Sequence, residues 1–367
     1  MAEKAIRLGG ESTADAIVSA VDSLYPEHTF EDKEFALKHN DDEISVDTNF
    51  AAQNFWKEAL IRFFNKKSAV LGLILIAVIV LLAVFGPGMN SYTYSGQDLS
   101  QKNFAPRVPG IERLGILDGS EKMSTTTGSK SVNAYVEKGK DDVYYWFGSD
   151  LYGRDIWTRT WEGARVSLII AVAAAVIDMV IGMSYGLISG YFGGRVDMVM
   201  QRFLEVANGI PRLVIVTLLL LVLQPGMVTI IFALMLTEWV GMSRIARAEM
   251  LKLKDQEFVL ASRTLGAGSF FIIFKEVLPN IIGPIITQVM FSIPTAIFTE
   301  AFLSFVGLGI PVPQCSLGSL ISELYNSFTT HPYQIIPPIV VMSLLMLSFN
   351  LVADGLREAL DPKMKSM

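Results

Sequence analysis

The sequence contains few of the residues from which metal, redox and nucleotide-hydrolysing sites are built. Its 367 residues include one cysteine, Cys315, which cannot form an internal disulfide, and three scattered histidines, which leave no Cys/His ligand set for zinc. Neither a Walker-type phosphate loop nor a His-Glu-x-x-His sequence occurs. We therefore expect a chain that is not an enzyme, binds no metal or cofactor and does not itself hydrolyse ATP.

Charged residues are also scarce, at 18%, whereas hydrophobic residues make up 51%. This balance predicts an integral membrane protein. The net charge of -6 is concentrated at the start, since residues 1–50 hold twelve Asp/Glu and four Lys/Arg, so no basic surface for nucleic acid is expected. The start also lacks the basic and apolar regions of a signal peptide, and we interpret residues 1–55 as an acidic cytoplasmic extension.

Apolar windows of about 20 residues, the length needed to cross a bilayer as a helix, predict six spans in an all-α membrane fold. A break at Gln224–Met227 divides the third span from the fourth. An amphipathic helix near Asn54–Phe64 is predicted to lead into the first span. The predicted spans cover Ser68–Met89, Val166–Gly190, two short spans within Val206–Arg244, Ile281–Leu303 and Ile335–Ala353.

The distribution of Lys and Arg between short loops predicts the orientation. The turn at Gln224–Met227 and the stretch Ser304–Gln334 carry none, whereas the loops on the other side carry many, so both termini are expected in the cytoplasm. We predict five parts along the chain. Residues 1–55 form the acidic extension, residues 56–89 form the lead-in helix and the first span, and residues 90–161 form a long extracellular loop. Residues 162–355 form a core of five spans with a cytoplasmic loop at 245–280, and residues 356–367 form a cytoplasmic tail.

Within the second span, Gly182, Gly186 and Gly190 recur every four residues, which favours close helix packing in lipid. Asp178 lies one turn earlier, where a carboxylate is costly, and both a structural contact and a role in lining a pathway are open to it. Glu238 and Glu300 lie nearer span ends, where solvation is less costly.

The cytoplasmic segment between the fourth and fifth spans has the most unusual pattern. Met250, Phe258, Ala261 and Leu265 are spaced to share one face of a helix. Gly266 is placed for a left-handed C-cap, and Ser269 is predicted to cap a second helix that ends before Pro279. By pattern alone, a helix lying on the lipid surface and a docking site for a cytoplasmic partner fit equally well.

The same segment resembles the signature of the permease subunits of ABC importers for peptides, namely Glu-Ala-Ala, three residues, Gly, and Leu-Pro about a dozen residues later. Here the signature positions are Leu260-Ala261-Ser262, Gly266 and Leu278-Pro279, with Leu260 and Ser262 as departures. Gly148–Asp155 is similar to the family's Gly-Thr-Asp-x-x-Gly-Arg-Asp. Other stretches that resemble family blocks are Gly163–Leu168, Gly190–Gly194, Glu300–Gly309 and Asp354–Pro362.

The resemblance, to the C-type subunit of the dipeptide and oligopeptide family, covers about residues 147–363 and implies a type I ABC importer permease fold in the bacterial plasma (inner) membrane. It implies partners: a homologous second permease, two cytoplasmic ATPases that use ATP and Mg, and an extracytoplasmic peptide-binding protein. The long first outer loop favours the oligopeptide members. The cytoplasmic helix would couple to an ATPase through Glu257, Phe258, Ala261, Ser262, Arg263, Leu265, Gly266 and Ala267.

The resemblance also places the substrate pathway between two permeases, with Asp178, Glu238 and Glu300 as candidate lining residues. Two alternatives remain at this point. A nickel or haem permease of the same superfamily would share these motifs. An ion-coupled secondary carrier would instead use Asp178 and Glu238 to bind its ion, although no repeat between the two halves of the chain is evident.

Overall fold

The computed structural model of the chain describes residues 55–125 and 128–360. The predicted acidic extension, except for Phe55, and the tail residues 361–367 lie outside the described residues. The membrane part of the description is helical, and its helices are numbered α1 to α12. They are α1 Phe55–Asn65, α2 Lys67–Phe85, α3 Ala134–Glu137, α4 Ile156–Phe192, α5 Gly194–Gly209, α6 Arg212–Val222, α7 Met227–Thr237, α8 Trp239–Leu253, α9 Glu257–Thr264, α10 Ser269–Leu308, α11 Leu317–Tyr325 and α12 Ile336–Leu360.

Five helical stretches of the described chain are long and apolar enough to cross a membrane, and a sixth span results if the bent pair α5 and α6 counts as one. The first and sixth spans, formed by α2 and α12, lie close to their predicted windows. The amphipathic helix predicted near Asn54–Phe64 corresponds to α1. Its Phe63 packs on α12, where a Cβ added to Gly355 would lie 3.1 Å from the ring.

The second span begins ten residues before its predicted start. Asp155 caps the helix by accepting a hydrogen bond from the Thr158 backbone N–H, 2.8 Å away, so α4 includes the polar turn from Ile156 to Trp161. A hydropathy window misses this turn because Arg159 lies in it, although that guanidinium is fully buried. A π-helical turn at Asp178–Gly182 interrupts α4.

The third span, if α5 and α6 together form it, is bent. In the structure α5 and α6 meet at an angle of 78°, and Pro211 stands at the bend as the residue before α6. Proline lacks a backbone N–H and fixes its φ angle, so it cannot continue the preceding helix. The predicted break at Gln224–Met227 is present, because α6 ends at Val222 and α7 begins at Met227.

The fifth span also differs from the expectation, because Pro279 does not end a helix. The chain stays helical from Ser269 through Pro279 to Leu308. A π-helical segment at Ile272–Val277 precedes the proline, and such a segment offsets hydrogen bonds that proline would otherwise break. Ser269 is not a cap either: Gly268 occupies the N-cap position and gives no side-chain hydrogen bond.

The region between the first two spans contains a two-stranded antiparallel hairpin, β1 Ser120–Thr125 and β2 Gly128–Asn133, which an all-helical description omits. Three buried aromatic side chains, Phe104, Tyr135 and Tyr145, form a separate small core there. The main apolar core lies where α2, α4, α7, α10 and α12 meet. A second core lies around the loop between the fourth and fifth spans and positions the candidate site.

Candidate coupling loop and intramembrane polar sites

The loop between the fourth and fifth spans is built from two separate helices. Met250 is a buried residue of α8, which ends at Leu253, whereas Phe258 and Ala261 belong to α9, and Leu265, at its C-cap, is 88% exposed. The predicted common face of these four residues is therefore wrong. The break at Lys254–Gln256 changes the helix direction, so spacing counted across it carries no geometric meaning.

A single residue, Val259, attaches α9 to the protein interior. Val259 is fully buried in the second core, together with Leu187 of α4, Met250 of α8 and Ile273 of α10. Burial of a valine side chain contributes about 1.5–3 kcal/mol. The same core contains side chains of three spans.

The end of α9 has the geometry of a Schellman motif. The Ala267 N–H donates to the Ser262 carbonyl at 3.0 Å, and the Gly266 N–H donates to the Arg263 carbonyl at 3.1 Å. Gly266 has a φ angle of +84°, in the region that favours glycine. The predicted left-handed C-cap is therefore present, and Ala267 packs against the second core.

The remaining candidate coupling residues leave a face of α9 free for a partner. Glu257, Phe258, Ala261 and Arg263 are exposed, and Ser262 is half-buried. The Arg263 guanidinium lies 5.4 Å from the centre of the Tyr191 ring, near the C-terminal end of α4. An exposed surface that combines Phe258, Leu260 and Leu265 has the composition of a protein contact.

Two nearby residues that fix the spans next to this loop were missed by sequence reasoning. Arg247 of α8 donates two hydrogen bonds of 2.6 Å to Asp197 of α5, one to each carboxylate oxygen. Ser189 of α4 also donates to Asp197. The contact spans 50 positions, so local periodicity gave no signal for it.

The glycine ridge lies at the contact of α4 with α8. A Cβ added to Gly182 would lie 2.6 Å from the Trp239 carbonyl, one at Gly186 would lie 2.1 Å from the Ser243 carbonyl, and one at Gly190 would lie 2.9 Å from Met250 Cβ. These distances are shorter than a side chain tolerates. The two backbones can approach this closely only because the ridge has no side chains.

The three candidate pathway carboxylates occupy two different regions. Glu238 pairs with Arg212 at 2.7 Å, and Thr299 donates a hydrogen bond to Glu238 at 3.4 Å. Asp178 lies close enough to Glu238 and Arg212 for their charges to act on it. Its Oδ1 is buried and has no hydrogen-bond partner in the described structure. Glu300 is not part of this group.

Glu300 lies near a span end, where we favour a structural contact over a role in the pathway, and the protein encloses it. It is fully buried and accepts hydrogen bonds from the hydroxyls of Ser167, Ser304 and Ser316, at 3.2 and 2.8 Å for the first two. Ser167 is 133 positions away in the sequence, so its contact with Glu300 was not visible in the local pattern.

Comparison with known proteins identifies the family. Residues 182–366 match the family "Binding-protein-dependent transport system inner membrane component", and residues 54–106 match the "N-terminal TM domain of oligopeptide transport permease C". The oligopeptide transport system permease protein OppC of Bacillus subtilis is 42% identical over 312 residues, which cover 85% of this chain and 91% of that protein. The dipeptide transport system permease protein DppC of Lactococcus lactis subsp. cremoris is also 42% identical, over 85% of this chain and 92% of that protein.

The chain belongs to the C-type permease family of peptide ABC importers. It is thus an integral inner-membrane component of a transport system, with the all-helical permease fold of that family. Among solved structures, the inward-facing MetNI methionine ABC transporter is similar over 54% of this chain and 94% of that chain, with a TM-score of 0.45 and 16% identity.

In this C-type permease, no group of three or more His, Cys, Asp or Glu side chains within residues 55–125 and 128–360 is arranged to hold a metal ion. The residues brought together by the fold are instead those of the loop between the fourth and fifth spans, the glycine ridge and the buried polar clusters. The loop is the site where an exposed surface and an internal connection to several spans coincide.

Proposed function

We propose that this permease forms one half of a translocation path for peptides and that α9 is the point at which a partner ATPase binds. The observation that carries the proposal is the construction of α9: its one buried side chain, Val259, lies in an apolar core shared with α4, α8 and α10, while Phe258 and Leu265 remain exposed. A partner that binds the exposed face of α9 could move three spans through the apolar core that contains Val259.

The substrate class rests on the relatives. Both relatives described above are named as permeases of oligopeptide or dipeptide transport systems, and the match of residues 54–106 to the oligopeptide permease C domain favours longer peptides. The remaining parts of the machine would be a homologous second permease, two ATPases that bind ATP and Mg, and an extracytoplasmic peptide-binding protein. Hydrolysis would take place in the ATPases and not in this chain.

The orientation follows from charge. With both termini in the cytoplasm, α9 and the basic residues around it face the ATPases, and α11 and residues 90–161 lie on the outer side of the membrane. The substrate would pass between the two permeases, and Asp178 and Glu238 are the carboxylates of this chain that we assign to the path. Glu300 is left out, because serine hydroxyls enclose it.

The test compares two exposed leucines on opposite sides of the membrane. Leu265→Asp places a charge on the proposed ATPase contact, and Leu114→Asp places one on a 76% exposed residue of the outer loop. Because loss of a central interface side chain costs about 2 kcal/mol or more, we expect Leu265→Asp to lower peptide uptake at least about tenfold and to release the ATPase during purification. Leu114→Asp should do neither.

Equal uptake by the two variants would contradict the docking role of α9. The substrate class is tested separately, by ATP-dependent uptake of labelled peptides into vesicles that hold the complete complex. Uptake driven by an ion gradient into vesicles that contain this chain alone would contradict the whole proposal, because a secondary carrier needs no ATPase.

A further inference from the structure

The helix α11, between the fifth and sixth spans, is held at both ends by buried polar clusters that the peptide path and the ATPase contact do not use. It has nine residues, and Leu317, Leu320 and Leu324 on one side of it are buried. A capping box formed by Ser316 and Ser319 begins it. Such a short helix is marginal by itself, so its position depends on what surrounds it.

The first cluster, here called the serine cluster, consists of Glu300, Ser167, Ser304 and Ser316. Ser167 of α4 donates to Glu300 and accepts the Leu317 N–H at 3.1 Å, while Ser316 donates to Glu300 and accepts the Ser319 N–H at 3.0 Å. The carboxylate is therefore joined through two hydroxyls to the first N–H groups of α11.

The second cluster, here called the arginine cluster, consists of Asp150, Arg154, Arg159 and Glu323. Arg159 donates to Asp150 and to Glu323 at 2.8 Å each, and Arg154 donates to Asp150 at 2.6 Å and also to Glu323. Burial alone would raise the pKa of Glu323, but the charges of Arg159 and Arg154 hold the pKa of this carboxyl below its usual value. Two positive charges thus lie at the C-terminal end of α11, where the dipole favours them.

Close backbone contacts complete the attachment. A Cβ added to Gly163 of α4 would lie 2.9 Å from the Ser316 carbonyl carbon, and one at Gly318 would lie 2.3 Å from Ala301 Cα of α10. The helix is therefore in contact with the backbones of both the second and the fifth span. At Gly163 and at Gly318, which lie between the two clusters, no side chain separates the backbone of α11 from the backbone of the neighbouring span.

We propose that α11 is a lid over the outer ends of α4 and α10 and that the serine and arginine clusters lock it closed, so that it moves with both spans as one body. The outer side of the path would then open between this permease and the second permease, and not by lifting of α11. The statement about the path rests on the proposed function. Glu300 and Glu323 act in this account as positioning residues for the lid.

The single cysteine provides the readout. Cys315 directly precedes the capping box, is 1% exposed, and its thiol donates to the Arg159 carbonyl at 3.4 Å. A membrane-impermeant maleimide added from outside can reach it only when the lid lifts. The experiment measures the rate of labelling of this chain, by mass, in membranes that contain the complete transporter.

In the resting transporter we expect Glu300→Gln and Glu323→Gln to speed labelling of Cys315 at least tenfold over the unaltered chain. The matched control is Glu112→Gln, which removes the Arg107–Glu112 pair of the outer loop, remote from the clusters, and should leave the rate within twofold. Because Glu323→Gln leaves two buried arginines that share the single carboxylate of Asp150, the double variant Arg154→Gln, Glu323→Gln restores charge balance and retains the Asp150–Arg159 pair. The proposal is overturned if the double variant and Glu300→Gln label at the unaltered rate.

The second arm adds ATP, binding protein and peptide. We expect the labelling of Cys315 in the unaltered chain to stay within twofold of the resting rate, and a tenfold rise would overturn the proposal because α11 would then be a moving gate. A failure of the proposed function is distinguishable: the unaltered transporter would take up no peptide, while the resting comparison, which needs no transport, would still decide whether the clusters lock the lid.

Discussion

The two short helices at opposite ends of the second and fifth spans, α9 and α11, are held by different kinds of contact. The described contacts of α9 are the buried Val259, the stacking of Arg263 on Tyr191 and its Schellman turn. Those of α11 include two clusters of buried charged and hydroxyl groups. Of the two helices, α9 has large apolar side chains that are exposed, whereas α11 is attached to its own chain at both ends.

The difference has an energetic consequence. Apolar burial is non-directional, so Val259 can change its packing partners within the core while α9 shifts and remains attached. A buried ionic cluster requires every member, since removal of one leaves an uncompensated charge that costs about 3–5 kcal/mol. We infer that the inner end of the permease is adapted to transmit movement and the outer end to hold its shape.

The largest effect is expected at the arginine cluster. Arg159→Leu leaves the carboxylates of Asp150 and Glu323 facing each other with one arginine, and we expect a loss of about 3–5 kcal/mol in the free energy of unfolding. Arg202→Leu is the control, because its pair with Glu205 is largely exposed and contributes about 0–1 kcal/mol. The measurement is the fraction of each variant that stays monodisperse on heating in detergent. Equal fractions for the two variants would contradict the view that buried ionic contacts hold α11 more firmly than apolar contacts hold α9.

A smaller effect is expected at the glycine ridge, which joins α4 to α8. Gly186→Ala places a Cβ 2.1 Å from the Ser243 carbonyl, and overpacking of this kind costs about 1–3 kcal/mol. Gly241→Ala is the control, since a Cβ there meets nothing within 4 Å. If thermal unfolding showed the two variants to be equally stable, the close contact would not be needed for assembly.

Gly266→Val tests the coupling loop without creating a steric clash. A Cβ at Gly266 meets nothing within 4 Å, but its φ of +84° strains a β-branched residue by about 1–2 kcal/mol. We expect normal insertion, continued ATP hydrolysis and loss of coupled peptide uptake. Gly268→Val is the matched control, because Gly268 is equally open but has an ordinary φ of -69°. Full uptake by the Gly266 variant would refute the role given to this turn.

The smallest effect on folding is expected for Asp178→Asn. Asp178 Oδ1 has no hydrogen-bond partner in the described structure, so the amide keeps the shape of the side chain without breaking a contact at that oxygen. We expect the same yield and thermal stability as the unaltered chain, with any change confined to transport. Severe misassembly of this variant would instead favour a structural role for Asp178.

Local patterns predicted those features that depend on neighbouring residues. Gly266 and the ridge from Gly182 to Gly190 could be read from the sequence because a helix end and a helix face are defined within a few turns. The predicted face through Met250 and Leu265 failed because the helix breaks at Lys254–Gln256, and the cap at Ser269 failed because Gly268 takes that position.

Features that join distant parts of the chain could not be predicted in this way. Arg159 and Glu323 are 164 positions apart, and Glu300 meets Ser167 across 133 positions. A hydropathy profile places such residues in solvent or at the end of a span. In the fold they are buried, because distant residues provide their hydrogen-bond and ion-pair partners. The burial of Val259 likewise depends on side chains from three spans.

The most direct test of the central claim is a cross-link between α9 and an ATPase in native membranes. A cysteine is introduced by Leu265→Cys in a Cys315→Ser background, and Leu114→Cys in the same background is the control. We predict that a short bifunctional thiol reagent joins the Leu265→Cys chain, but not the Leu114→Cys chain, to an ATPase with a native or introduced surface cysteine. If the complete transporter is purified and no ATPase is cross-linked to any exposed position of α9, the account is contradicted.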